Sequence, residues 1–254
     1  LVGSEMCIRD SMNTKDKIDF IRNWIKSYAT SNNFESLVIG ISGGIDSAVT
    51  STLSAKTGLK TIVANMPILD HKITNDRGMS HIHWLKENFE NVEDLKIDLS
   101  DVFKNFKSAL NKNNSEHGYA NSQARIRMAT LYQIAASNNG IVVGTGNKVE
   151  DFGIGFYTKY GDGGVDISPI ADCLKTEIWD MGKELMINQD IIDAAPTDGL
   201  WSDGRSDKDQ VGLNYAEIEE AMINENSSNR DKYLEIRKNN VHKMNPIPVC
   251  ILPK

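Results

Sequence analysis

The run Leu37-Val38-Ile39-Gly40-Ile41-Ser42-Gly43-Gly44-Ile45-Asp46-Ser47 joins an apolar strand to a helix through a turn suited to holding phosphate. Its paired glycines let bare backbone N–H groups approach an anion, and the next helix aims its positive N-terminus at the same place. Asp46 adds a hard oxygen ligand for magnesium and Ser47 a hydroxyl donor. The turn lacks the lysine of the Gly-x-x-x-x-Gly-Lys-Ser/Thr loop, and its spacing misses the dinucleotide pattern Gly-x-Gly-x-x-Gly. It marks the chain as an ATP user of another kind. The competing reading is a plain glycine turn ending a strand.

The elements that must position this turn follow from hydrophobic periodicity. Strands are expected at 37–41, 61–65, 95–99 and 141–145. Helices are expected from residue 12 onward and at 48–57, 76–89, 101–111, 120–138, 176–187, 215–225 and 228–239. The alternation implies an α/β fold, a doubly wound, mostly parallel sheet with flanking helices, whose ligands sit beyond the C-terminal ends of the strands. Ser42 to Ser47 and Gly144 to Asn147 then share that edge. Residues 146–167, dense in Gly and Asp, read as a long functional loop without structure, and 198–209 as a mobile lid. Trp24, Trp84 and Trp179 fall on helical apolar faces and read as core, and 215–222 as a packing face.

At 254 residues, with 40% hydrophobic and 25% charged, the chain suits one large soluble domain, and no apolar stretch reaches membrane-span length. A net charge of −7 argues against a nucleic-acid surface. Cys7, Cys173 and Cys250 are odd in number and make no Cys-x-x-Cys pair, which fits a reducing cytoplasm. Residues 1–11 have neither a basic n-region nor an apolar core and read as a non-native leader, so that 12–254 forms the single domain.

Three further runs are specific. They are Gly144-Thr145-Gly146-Asn147-Lys148-Val149-Glu150, the block from Thr158 through Lys159-Tyr160-Gly161-Asp162-Gly163-Gly164 to Ile170, and Leu174-Lys175-Thr176. With the Ser42–Ser47 turn they closely resemble ammonia-dependent NAD synthetase, of the Rossmann-like ATP pyrophosphatase superfamily. The resemblance runs from Met12 to nearly the C-terminus. It implies that ATP, a co-substrate split to AMP and pyrophosphate, adenylates the carboxylate of nicotinic acid adenine dinucleotide, and that ammonia displaces AMP to give NAD. Gly40, Ile41, Ser42, Gly43, Gly44, Ile45, Asp46 and Ser47 would then hold ATP with Thr145, Lys175 and Thr197, and Asp46 and Glu150 would hold Mg²⁺. Arg125, Lys159, Asp166, His242 and Lys243 would bind the dinucleotide, and Asp162 and Lys175 would be catalytic. The family also implies a homodimer built on a two-fold axis, for which the apolar helix at 120–136 is the candidate.

Arg125 and Arg127 stand two apart on a helix, so only one, Arg125, is expected to face the site. Asp162 has two readings, a group that frees NH₃ from ammonium or an aspartate that shapes its glycine-rich turn. Glutamines expected between Met66 and Asn88 for substrate binding are missing, and His71, Lys72 and Asn75 stand there instead. Two rivals stay open, another pyrophosphatase-loop enzyme and a sensor that holds ATP without turning it over.

Overall fold

The computed structural model describes residues 12–68, 72–197 and 206–252. Residues 1–11, read above as a leader, His71, the Lys72 side chain and most of 198–209, read above as a lid, lie outside the described residues. Four parallel strands form the sheet: β1 (Ser36–Gly40), β2 (Lys60–Asn65), β3 (Val92–Lys96) and β4 (Gly140–Val142), in the order β3-β2-β1-β4. The chain winds outward from β1 to β3, then returns to lay β4 on the other side of β1. The crevice between the C-terminal ends of β1 and β4 is therefore the switch point.

Residues alternate across β1. Leu37 and Ile39 join a core under α1 (Thr14–Ser31), α2 (Ile45–Ala55) and α6 (Lys175–Glu184), while Val38 joins one under α4 (Ser100–Leu110) and α5 (Glu116–Ser137). Helix α3 (Lys72–Asn88) packs with the first group through Ile82 and Leu85. A third apolar cluster joins Val149 and Ile154 to α9 (Tyr215–Ile223) and α10 (Arg230–Met244). Two short helices, α7 (Gln189–Ile192) and α8 (Asp207–Val211), were not legible as periodic segments.

Several expectations are corrected. The third strand lies at Val92–Lys96 rather than 95–99. Asn91 pins its start, donating from Nδ2 to the carbonyls of Ala55 and Leu59 while its own carbonyl accepts from Thr61 N. As an edge strand it carries Glu93, Asp94 and Lys96, which hide its alternation. The fourth strand is shorter than 141–145, because Gly144 N turns to the carbonyl of Ile167. The stretch at 146–167 is not structureless. A π-helical turn covers Lys148–Ile154, capped by Asn147 Oδ1, which accepts from the N–H groups of Val149 and Glu150 at 3.0 Å each, and ended at Gly155 with φ +66°. Trp84 and Trp179 pack against the core, but Trp24 is 41% exposed and stands beside Tyr28 at the surface. No described helix is long and apolar enough to cross a membrane.

Candidate active site

The turn after β1 is shaped by its own hydroxyls. Ser47 Oγ donates to Gly44 O at 2.9 Å and lies 3.1 Å from Ser42 Oγ, which accepts from Gly44 N. Gly43 takes φ +83°, a left-handed conformation that favours glycine. Gly44 caps α2 without a side-chain bond, so the first N–H groups of the helix stay available to an anion. The turn opens into a cavity of about 870 Å³, the right scale for a nucleotide-sized ligand.

Behind the turn lies a buried cluster. Lys175, first residue of α6, places Nζ 2.5 Å from Asp46 Oδ2 and 2.8 Å from Glu150 Oε1. Asn147 Nδ2 donates to Asp46 Oδ1 at 3.0 Å, and the Tyr215 hydroxyl lies 2.5 Å from Glu150 Oε1 and 2.7 Å from Asp207 Oδ2. Burial opposes the charge of Lys175, but the two carboxylates outweigh it and hold the ammonium above the ordinary lysine value. One ammonium cannot compensate two carboxylates. Burial disfavours charge on both, and Glu150, which also accepts from Tyr215, is still held below the usual range by Lys175. The shortfall falls on Asp46, which burial raises.

Across the cavity, the turn at 158–164 packs on α5. Asp162 Oδ1 accepts from Thr158 N at 2.9 Å, so the residue does shape its turn, and it also lines the cavity. Its carboxyl is accessible from the cavity yet walled in by protein, which pushes its pKa up to about 6 against the lowering pull of the Thr158 N–H. Lys243 Nζ donates to Tyr157 O at 2.9 Å. His242, Lys159, Thr145 and Thr197 line the same cavity.

The cavity thus gathers the expected residues from 40 to 47, except Gly43, which is buried beneath the turn, together with Thr145, Glu150, Lys159, Asp162, Lys175, Thr197, His242 and Lys243. Two expectations change. Arg125 and Arg127 both line it: Arg125 is exposed and donates from Nε to Lys159 O, whereas Arg127 reaches inward to Met66 O at 3.0 Å. On α5 the cavity runs along one face, through Asn121, Ala124 and Met128, and the two long arginine side chains reach it from opposite flanks of that face. Asp166 does not line the cavity. Its carboxylate completes the open edge of β4, accepting from Val142 N at 2.8 Å and from the Tyr132 hydroxyl at 3.1 Å.

Sequence reasoning missed Asn147, Asp151, Arg127 and Tyr215. The first two stand in or beside the run 144–150, so their neighbours were a signal. Tyr215 had none, because its helix also buries Ile218 and Ala221 as a packing face should. Asp151 lines the cavity, and burial holds its pKa well above the ordinary value.

The family model described as NAD synthase matches residues 17–247. An NH(3)-dependent NAD(+) synthetase from Carboxydothermus hydrogenoformans is 34% identical over 84% of this chain and 86% of its own. One from Finegoldia magna is 35% identical over 89% and 91%. Among solved structures, an NMN synthetase from Francisella tularensis superposes with a TM-score of 0.86 at 30% identity, covering 96% of this chain and 99% of that one. An NH3-dependent NAD synthetase from Campylobacter jejuni gives 0.76 at 23% identity, over 94% and 100%, a likeness of fold. With a glycine-rich, lysine-free turn after β1, a lysine–dicarboxylate cluster and a family match across most of its length, the chain belongs to the NAD synthase family.

Proposed function

We propose that this chain amidates nicotinic acid adenine dinucleotide with ammonia, consuming ATP and releasing NAD, AMP and pyrophosphate. The observation that carries the reading is the convergence of the phosphate turn, the Lys175 cluster and Asp162 on one cavity, in a chain of this family.

A carboxylate is a poor acyl donor, so its oxygen must first attack the α-phosphorus of ATP. The N–H groups at the start of α2 and the Ser42 and Ser47 hydroxyls receive the phosphates. Asp46 and Glu150 would hold Mg²⁺, which when bound neutralises phosphate charge. The donor set fits: both carboxylates already converge on one cation, the Lys175 ammonium, and Mg²⁺ characteristically takes one or two carboxylates and completes its shell with phosphate and water. Arg125, Lys159, His242 and Lys243 receive the dinucleotide. In the second step ammonia attacks the activated carbonyl. Ammonium has no lone pair, and Asp162, with a pKa near 6, takes its proton above that pH.

The chain acts as a cytoplasmic homodimer in this reading. Helix α5 supports the dimer: Ala120, Ala124, Ile134 and Ala135 are buried, yet Ala129 and Ala136 are exposed and Ile126, Met128 and Tyr132 only half covered. Val102 and Phe106 of α4 add exposed apolar surface. An active monomer in solution would contradict this.

Incubation of the pure protein with Mg²⁺, ATP, the dinucleotide and ammonium tests the reaction. Equal amounts of NAD, AMP and pyrophosphate are expected, and ADP with phosphate would refute it. Two observations favour a second reading, the nicotinate mononucleotide as substrate. The NMN synthetase structure superposes at 0.86, and residues 66–88 lack glutamines that would hold an adenine end. Comparing kcat/KM for the mononucleotide and the dinucleotide decides between them.

A further inference from the structure

The phosphate turn has no lysine, and the lysine nearest it is already committed. Lys175 binds Asp46 and Glu150 together, leaving that cluster with one net negative charge when both carboxylates are ionised. With Mg²⁺ held there the cluster would carry one net positive charge, fewer than the several negative charges of a polyphosphate, so positive charge from another part of the wall still stabilises it. The other cavity arginines are partly engaged, Arg125 Nε with Lys159 O and Arg127 Nε with Met66 O, and Lys243 Nζ is bound to Tyr157 O.

Arg77 differs from all of these. It lines the cavity, its Nε is buried without a hydrogen-bond partner, and no carboxylate pairs with it among the described residues. An arginine N–H left unpaired in a protein interior is costly, and a ligand that accepts from it recovers that cost. Its position points to the ligand. The next residue, Gly78, holds α3 against the phosphate turn: a Cβ there would lie 3.5 Å from Gly43 N and 3.5 Å from Asn65 Nδ2. The planar guanidinium fork matches paired phosphate oxygens.

We propose that Arg77 binds the phosphates of ATP that leave as pyrophosphate, supplying the cation that the turn itself lacks. The assignment rests on ATP being split as described above. It also gives a use to the segment 66–88, whose residues depart from those expected there.

Calorimetric titration of the full chain with MgATP, magnesium pyrophosphate and AMP, for the native protein, Arg77→Gln and Arg77→Lys, tests it. Arg77→Gln should weaken ATP and pyrophosphate binding roughly 10- to 100-fold, the loss expected for charge-assisted hydrogen bonds, and leave AMP binding unchanged. Arg77→Lys, which keeps the charge without the fork, should fall between. Thermal unfolding of each variant checks that it is folded, and the lysine variant carries the comparison alone should the glutamine one not fold. Undiminished ATP and pyrophosphate affinity overturns the proposal, as does an equal loss for AMP. A native chain that binds ATP but makes no NAD would sink the substrate assignment and leave the Arg77 comparison intact.

Discussion

Replacing Lys175 with methionine should destabilise the protein in a way set by pH. The Lys175 side chain is 3% exposed, and the carboxylates of Asp46 and Glu150 are 17% and 18% exposed. Without the ammonium, two carboxylates face one pocket, and the least costly relief is for one of them to take up a proton. Protonating a carboxyl of ordinary pKa costs about 4 kcal/mol at pH 7 and about 1.5 kcal/mol at pH 5. The first figure agrees with the roughly 3–5 kcal/mol lost when one partner of a buried ion pair is removed. The sign is fixed: a carboxyl whose pKa is raised on folding contributes stability below its unfolded pKa and loses it as pH rises. The deficit of Lys175→Met should therefore widen from pH 5 to pH 7. At pH 7 it should lower Tm by roughly 8–16 °C for a domain of this size. Thermal unfolding across that range measures it, and Mg²⁺ should raise the Tm of the variant more than that of the native chain. A deficit of one size at every pH would refute the charge argument and leave lost packing of the lysine stem as the cause.

Asp162→Asn should let adenylate and pyrophosphate form while amidation lags, with partial rescue at higher pH. A rapid-quench experiment in which both steps slow equally would make Asp162 a turn residue only. His81 is buried against Trp84 with Nε2 3.0 Å from Ser51 Oγ, and burial lowers its pKa to about 4. A base with a lowered pKa stabilises above its unfolded value near 6.5 and loses that contribution as pH falls, on the order of 3 kcal/mol by pH 4. His81→Gln should flatten that acid limb in urea titrations, and an unchanged limb would assign the loss to other groups. Gly161→Ala would set a Cβ 2.8 Å from Ala124 Cβ and from Thr158 Cγ2. It should cost about 1–3 kcal/mol by overpacking and loosen the turn that carries Asp162, so an unchanged urea midpoint would count against that packing.

Much of the site was legible because its chemistry is local in sequence. The Ser42–Ser47 turn, Glu150 and the block 159–164 each sit at the end of a strand or in a glycine-rich segment, and a parallel sheet brings such ends to one edge whatever the details. Continuous apolar runs were enough for β1 and β2, which are covered on both faces, whereas β3 has no such run because its charged residues belong to an edge. Sequence pattern is therefore enough for the parallel, doubly wound class of the fold and for the glycine-rich, acidic and basic residues that gather at its switch point. How those groups pair depends on the folded chain. Lys175 stands 129 residues from Asp46 and 25 from Glu150, and Tyr215 reaches Glu150 across 65 residues, so no spacing rule could join them. The same reason moved Asp166 from the cavity to the rim of β4, and turned Arg127 inward beside Arg125. A side chain's direction depends on which neighbours leave it space and hydrogen-bond partners, and those neighbours meet only when the chain is folded.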